Sequence, residues 1–258
     1  MKLSSILTTT LYTFAVTTVT ALGFSTQTQA ITFSGNSSGR WGIPTSGGIN
    51  TNPAYSGVGT NSFTWGEALP DDPKFGTPAN KLTFTENSFS TNTNSSFEVG
   101  NLTYFNGTVP EGTNVDSVPL NLNLSLTNQN NLHQAFNFDF TLLNTPNDPA
   151  NTPEQNADAV IIQNSVGDRR FTFDGNQYAL ELTGFSQDGG KTALSEFRVL
   201  EGATTTAGLY ARITSVPPAK VPESGTIVGL SALGFYLISQ RKARGDKRQE
   251  TGNRRQEI

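Results

Sequence analysis

LNLNLSL, residues 120–126, and FNFDFTL, residues 136–142, are the stretches on which the fold turns. Leu120, Leu122, Leu124 and Leu126 alternate with Asn121, Asn123 and Ser125, and Phe136, Phe138, Phe140 and Leu142 alternate with Asn137, Asp139 and Thr141. A strand sends successive side chains to opposite faces, so a period of two gives each stretch one apolar and one polar face. Both read as half-buried β-strands. Runs of the same type lie at 61–65, 81–85, 97–104, 159–163, 170–173, 177–185, 194–199 and 207–213, bounded by Gly, Asn, Asp and Pro. A further β-like run begins at Ile31, and no stretch shows a convincing helical period. About ten strands with such boundaries predict an all-β fold, an antiparallel β-sandwich of jelly-roll or immunoglobulin-like type. Burying one leucine contributes roughly 1.5 to 3 kcal/mol, so the 120–126 strand alone supplies a large part of a domain's stability.

Composition narrows the chemistry. The chain has 258 residues, 34 % apolar and 15 % charged, with no Cys and a single His. A thiol nucleophile, a disulfide, a cysteine-ligated zinc and an iron–sulfur cluster are excluded. A Ser-His-Asp machine would have to use His133, which sits in NQNNLHQA between two strands and reads as an exposed turn residue. Oxygen-ligated cations and paired carboxylates keep a choice of residues.

Both ends carry apolar segments. Lys2 precedes an apolar stretch, residues 6–24, and STQTQA closes at Ala30 before Ile31. That is the layout of a secretory signal peptide for the Sec translocon and signal peptidase, cleaved after Ala30. Seven threonines interrupt the stretch (Thr8, Thr9, Thr10, Thr13, Thr17, Thr18 and Thr20), which disfavours a permanent transmembrane helix. At the other end a Pro-rich linker, residues 216–224, leads into GTIVGLSALGFYLIS, residues 225–239, and then Arg241, Lys242 and Arg244. Read as a short hydrophobic helix, this segment spans about 22 Å, less than the ~30 Å of a bilayer core. The basic residues after it would stay on the cytoplasmic side of the inner membrane. Beyond Arg244 the chain repeats, GDKRQET at 245–251 and GNRRQEI at 252–258, an appended heptad repeat rather than a nucleic-acid arm.

Val221, Pro222 and Glu223, the helix 225–239 and the cluster Arg241, Lys242 and Arg244 together resemble the PEP-CTERM sorting signal, with Ser224 where that family has a second proline. The resemblance implies recognition by an exosortase, transient membrane anchoring through the tail, and a cell-surface or extracellular-matrix destination. A plain membrane tail is the alternative reading.

Between the ends, residues 31–215 form one domain. Its segment 144–158, NTPNDPANTPEQNAD, has three prolines and no apolar core residue, so it reads as a long loop. Asn144, Asn147, Asp148 and Asp158, with Asn151, Glu154 and Asn156, are oxygen donors for a candidate Ca²⁺ site, although their spacing matches no defined calcium loop and a solvated turn is the plainer reading. Trp41, Tyr55 and Trp65 lie in a Gly, Ser, Thr and Asn background. They are candidate glycan contacts if their faces are exposed, and core residues if they fill the end of the sandwich. Asp71, Asp72, Glu86, Glu98, Asp116 and Asp139 offer carboxylate pairs on paper for a glycoside hydrolase. GTNSFTWG (59–66), KLTFTENSF (81–89), GNLTYFNG (100–107), DSVPLNLNLSL (116–126) and NTPN (144–147) followed by Asp158 resemble the choice-of-anchor K domain. That resemblance implies a β-rich module joined to an anchoring tail, without catalytic residues or cofactor.

The expectation is thus an exported surface or matrix protein with a structural or adhesive role. A glycan-binding module for exopolysaccharide is the alternative, a carboxylate hydrolase a third, and nucleic acid is not an expected partner. The formal charge of -4 conceals an uneven division: residues 31–220 hold 9 basic and 17 acidic groups, a charge of -8, whereas 221–258 carry +3.

Overall fold

The computed structural model describes residues 31–73, 76–127, 132–163 and 169–217. The expected signal peptide ending at Ala30, the Val221-Pro222-Glu223 motif, the tail helix, Arg241, Lys242, Arg244 and the heptad repeat lie outside the described residues.

Thirteen strands occur among the described residues: β1 (Thr32–Trp41), β2 (Tyr55–Ser56), β3 (Ser62–Trp65), β4 (Asn80–Glu86), β5 (Ser88–Asn92), β6 (Ser96–Phe105), β7 (Ser117–Leu126), β8 (Leu132–Leu143), β9 (Asp158–Ile162), β10 (Arg170–Phe173), β11 (Asn176–Ser186), β12 (Glu196–Val199) and β13 (Thr204–Ser215). They form two antiparallel sheets, in the orders β12-β9-β8-β7-β1-β5 and β10-β11-β13-β6-β4-β3-β2. The expected β-sandwich is present. The alternating stretches pair directly as β7 and β8, with Leu122 opposite Phe136 and Leu120 opposite Phe138. Their leucines and phenylalanines are buried.

Aromatic rings bridge the sheets. Phe33 of β1 meets Phe173 of β10 at 4.9 Å and Tyr178 of β11 at 5.1 Å between centroids, Trp41 meets Phe63 of β3, and Phe140 of β8 meets Phe185 of β11. Such tilted and edge-on contacts add to burial because ring edges are positive and faces negative.

β1 lacks an apolar alternation, yet its burial alternates. Phe33, Gly35, Ser37, Gly39 and Trp41 point inward. The small residues answer to close approach: a Cβ on Gly39 would lie 2.6 Å from the Phe84 ring, and one on Gly35 2.1 Å from the Ser125 carbonyl oxygen. Ser37 is buried, and its hydroxyl donates to the Val99 carbonyl of the opposite sheet. β10 and β11 are joined by Asp174-Gly175, both at positive φ (49° and 73°), the two-residue hairpin turn whose twist matches paired strands. His133 is exposed as expected but lies within β8 rather than in a turn, with Nδ1 2.8 Å from the Ser125 hydroxyl.

Antiparallel pairing sends β1, β6, β8 and β12 toward one end of the sandwich and returns β7, β9 and β13 from it. The connections 42–54, 106–116, 144–157 and 200–203 therefore gather at that end.

Candidate functional site

These four connections enclose a cleft of ≈ 590 Å³, within the range of small-molecule sites. Backbone ties fix two of them together: Asn52 N–H donates to Gly112 O at 3.0 Å and Ala54 N–H to Thr113 O at 2.9 Å. Gly112 turns with φ 85°, a conformation that side-chain-bearing residues rarely adopt.

Ile49 and Leu143 stand exposed at the cleft, with Val109 and Pro146 beside them. Three carboxylates share it. Asp116 Oδ1 accepts from Asn50 Nδ2 at 2.6 Å, Glu201 Oε1 accepts from the Thr108 hydroxyl, and exposed Glu111 has no hydrogen-bond partner among the described residues. Asn114 is only 3 % exposed and lines the same cleft, and its Oδ1 has no hydrogen-bond partner among the described residues. No Lys, Arg or His is found among the described lining residues.

Behind the wall lies a buried polar cluster. Asp158, 2 % exposed at the start of β9, accepts at Oδ1 from the Thr145 backbone N–H (2.8 Å) and the Thr145 hydroxyl (2.9 Å). Those bonds fix the start of the 144–157 connection. Burial raises the Asp158 carboxyl to about 6; the Thr145 bonds oppose that rise and nearby Glu201 adds to it. The adjacent Tyr104 hydroxyl is pushed well above its ordinary value, first by burial and then by Asp158 and Glu201. Asn80 receives Gly107 N–H at 2.9 Å, and Asn106 donates to Val199 O at 3.0 Å, so the cluster also holds the 106–116 and 200–203 connections.

The aromatic expectation is corrected. Trp41 (0 % exposed) and Trp65 (2 % exposed) belong to the core, Trp41 with its Nε1 donating to Asn61 O and Trp65 stacked on Tyr104. Their ring faces are covered by protein, so neither can stack on a sugar. Tyr55, 45 % exposed, is the one member of the trio that reaches solvent. The calcium candidates are also divided. Asn144 and Asn147 line the cleft, exposed Asp148 accepts Ala150 N–H in its own turn, and Asp158 points inward to Thr145. No group of three or more His, Cys, Asp or Glu placed to hold a metal occurs among the described residues. Of the acids considered for hydrolysis, Asp116 lies in the cleft. Glu86 lines a separate hollow with Arg40, and Glu98 accepts from Asn87, Asn101 and the Tyr210 hydroxyl.

Asn50, Glu111, Asn114 and Glu201 carry no sequence signal. They are ordinary polar residues, and only the topology assembles them. The local hints were the Pro-rich segment 144–158, with Asn144 and Asn147, and the acidic Asp116. No protein-family model matches this chain, and no curated protein matches it.

Proposed function

We propose that the chain is an exported cell-surface or extracellular-matrix protein with a structural or adhesive role. A signal peptide ending at Ala30 would deliver it, and a tail marked by Val221, Pro222 and Glu223 would present it to an exosortase. The observation that supports this reading best is the placement of the sandwich: its strands run from Thr32 to Ser215, within the interval between the two apolar terminal segments. In sequence, the two segments flank the sandwich strands on either side, as a leader and a sorting tail would.

Intact mass of the protein recovered from its native envelope is the test. A chain beginning at Ile31 and ending near Glu223 is the expected result. Retention of Ile258 would rule out tail processing, and retention of Met1 would rule out the signal peptide.

A further inference from the structure

The 144–157 connection borders the cleft as an exposed strap with few fastenings. Residues 144 and 146–155 are exposed, Ala157 alone is buried, and residues 144–147 line the cleft. Its turns are closed by its own groups: Asn156 Nδ2 donates to Asp148 O and Thr152 N–H to Gln155 Oε1, both at 2.9 Å. Among the described residues, its hydrogen bonds to the rest of the protein are those from the Thr145 N–H and hydroxyl to Asp158 Oδ1 and one from Arg198 Nη1 to the Ala157 carbonyl, at 3.4 Å. We propose that this strap is a pH-operated flap on the cleft, closed while the Asp158 carboxyl is protonated and released as that group ionises.

The setting of Asp158 gives the sign. The carboxyl is buried, and no ion pair neutralises it among the described residues. Facing it are Tyr104 of β6, which burial keeps in its neutral form, and Glu201 of the 200–203 connection, whose charge opposes a second one; Asn80 and Asn106 complete the cluster with neutral amides. Arg198 of β12 points outward and holds Glu196 at 3.1 and 3.3 Å. Asp148 and Glu154 stand on the exposed part of the strap, Glu111 and Asp116 share the cleft lining with it, and His133 lies at the opposite end of β8. Burial and Glu201 disfavour the Asp158 carboxylate while the Thr145 bonds favour it, and burial prevails. Releasing the strap admits water to Asp158 and to Asn156 Oδ1, a buried acceptor for which the described residues supply no donor. The closed form therefore holds the proton more tightly than the open one, so rising pH drives opening. With one buried side chain and few bonds to the body, the strap opens locally, without unfolding of the sandwich. The inference rests on the strap and its anchor and is independent of export.

Hydrogen exchange of the full chain, corrected for the intrinsic pH dependence of amide exchange, reads the opening at the Thr145 N–H. Two results are expected. That amide exchanges at least about a hundredfold faster than the slowest amides of β7, because it does not wait for global unfolding. Its protection also falls about tenfold between about pH 5 and pH 7.5, the change produced by a carboxyl that passes from about 6 in the closed form toward 3.8 in the open one. Asp158→Asn keeps an acceptor for Thr145 and removes the fall, whereas Asp148→Asn on the strap itself leaves the fall unchanged. Glu201→Gln, which takes away the neighbouring charge, makes the fall smaller, and it decides the matter if Asp158→Asn does not fold. Far-ultraviolet circular dichroism checks that each variant is folded. Thr145 exchange as slow as that of the β7 core overturns the proposal, as do protection that is constant or rises with pH, a fall that persists in Asp158→Asn, and loss of the fall in Asp148→Asn. Where Asp158→Asn does not fold, a fall of the parent's size in Glu201→Gln overturns it equally.

Discussion

Asp158 is the residue whose setting departs furthest from an ordinary surface carboxylate. Its folded value of about 6 lies above the ordinary 3.8, so between those values the folded state binds more protons than the unfolded chain. The stability it contributes is complete below about pH 4 and is lost as pH rises through about 6. At ~1.4 kcal/mol per pH unit the loss has a ceiling of about 3 kcal/mol. Asp158→Asn keeps an acceptor for Thr145 and removes the charge. The variant should be about 1–2 kcal/mol more stable than the parent at pH 7, with no difference attributable to this group near pH 4. Urea unfolding at both pH values measures it, and a less stable variant at pH 7 would contradict the setting described. Asp188 acts in a different window. The Ser186 hydroxyl and the Thr192 N–H hold it down to about 2, so its stabilising contribution disappears only as pH falls below about 4. Glycine at position 39 is a matter of space. Gly39→Ala drives a methyl into Phe84 and should cost about 1–3 kcal/mol in chemical denaturation, provided the ring cannot step aside.

At the scale of the element, β7 carries the heaviest apolar load. Leu120, Leu122, Leu124 and Leu126 are all buried. Leu124→Asp would bury a carboxylate without a partner, a cost of several kcal/mol against a typical stability of about 5–15 kcal/mol. No folded protein should be recovered, and a soluble variant with the parent's melting temperature would contradict the packing of this strand. β7 was legible in the sequence because its inward positions are uniformly large and its outward ones polar. β1 and β5 obey the same period with less telling residues. Glycine occupies inward positions 35 and 39 because the neighbouring chain and the Phe84 ring lie too close for a side chain, Ser37 is inward to bond Val99 and Asn87, and β5 offers only Phe89 and Thr91. Alternation shows that a tryptophan lies on a strand but not whether its face meets the other sheet or water. That is why Trp41 and Trp65 stay candidates for a binding surface in the sequence, although a buried position is the commoner case for such residues. The cleft was illegible for another reason: Asn50, Asn114 and Glu201 meet only after four connections fold to the same end.

At the scale of the whole molecule, both tryptophans of the chain lie in the core. The folded protein should emit at short wavelength, resist acrylamide quenching, and shift to the red in one transition that coincides with loss of β circular dichroism. An exposed-type emission spectrum from folded protein would contradict the burial of these side chains. The strand order has a further consequence, in time. β1 stands between β7 and β5, so the first of the described strands to leave the ribosome is an interior member of its sheet. Ser37 pairs with Leu124, and Thr204 at the start of β13 pairs with Phe105 at the end of β6. At roughly 5–20 residues per second, synthesis takes about 4–17 s to travel from the first partner of the Ser37–Leu124 pair to the second. Pairings this distant in sequence also fold slowly once the chain is complete. The growing polypeptide consequently presents Phe33 and Trp41 to its surroundings for seconds before their cover exists, an interval in which a chaperone or a translocation channel has an extended chain to grasp.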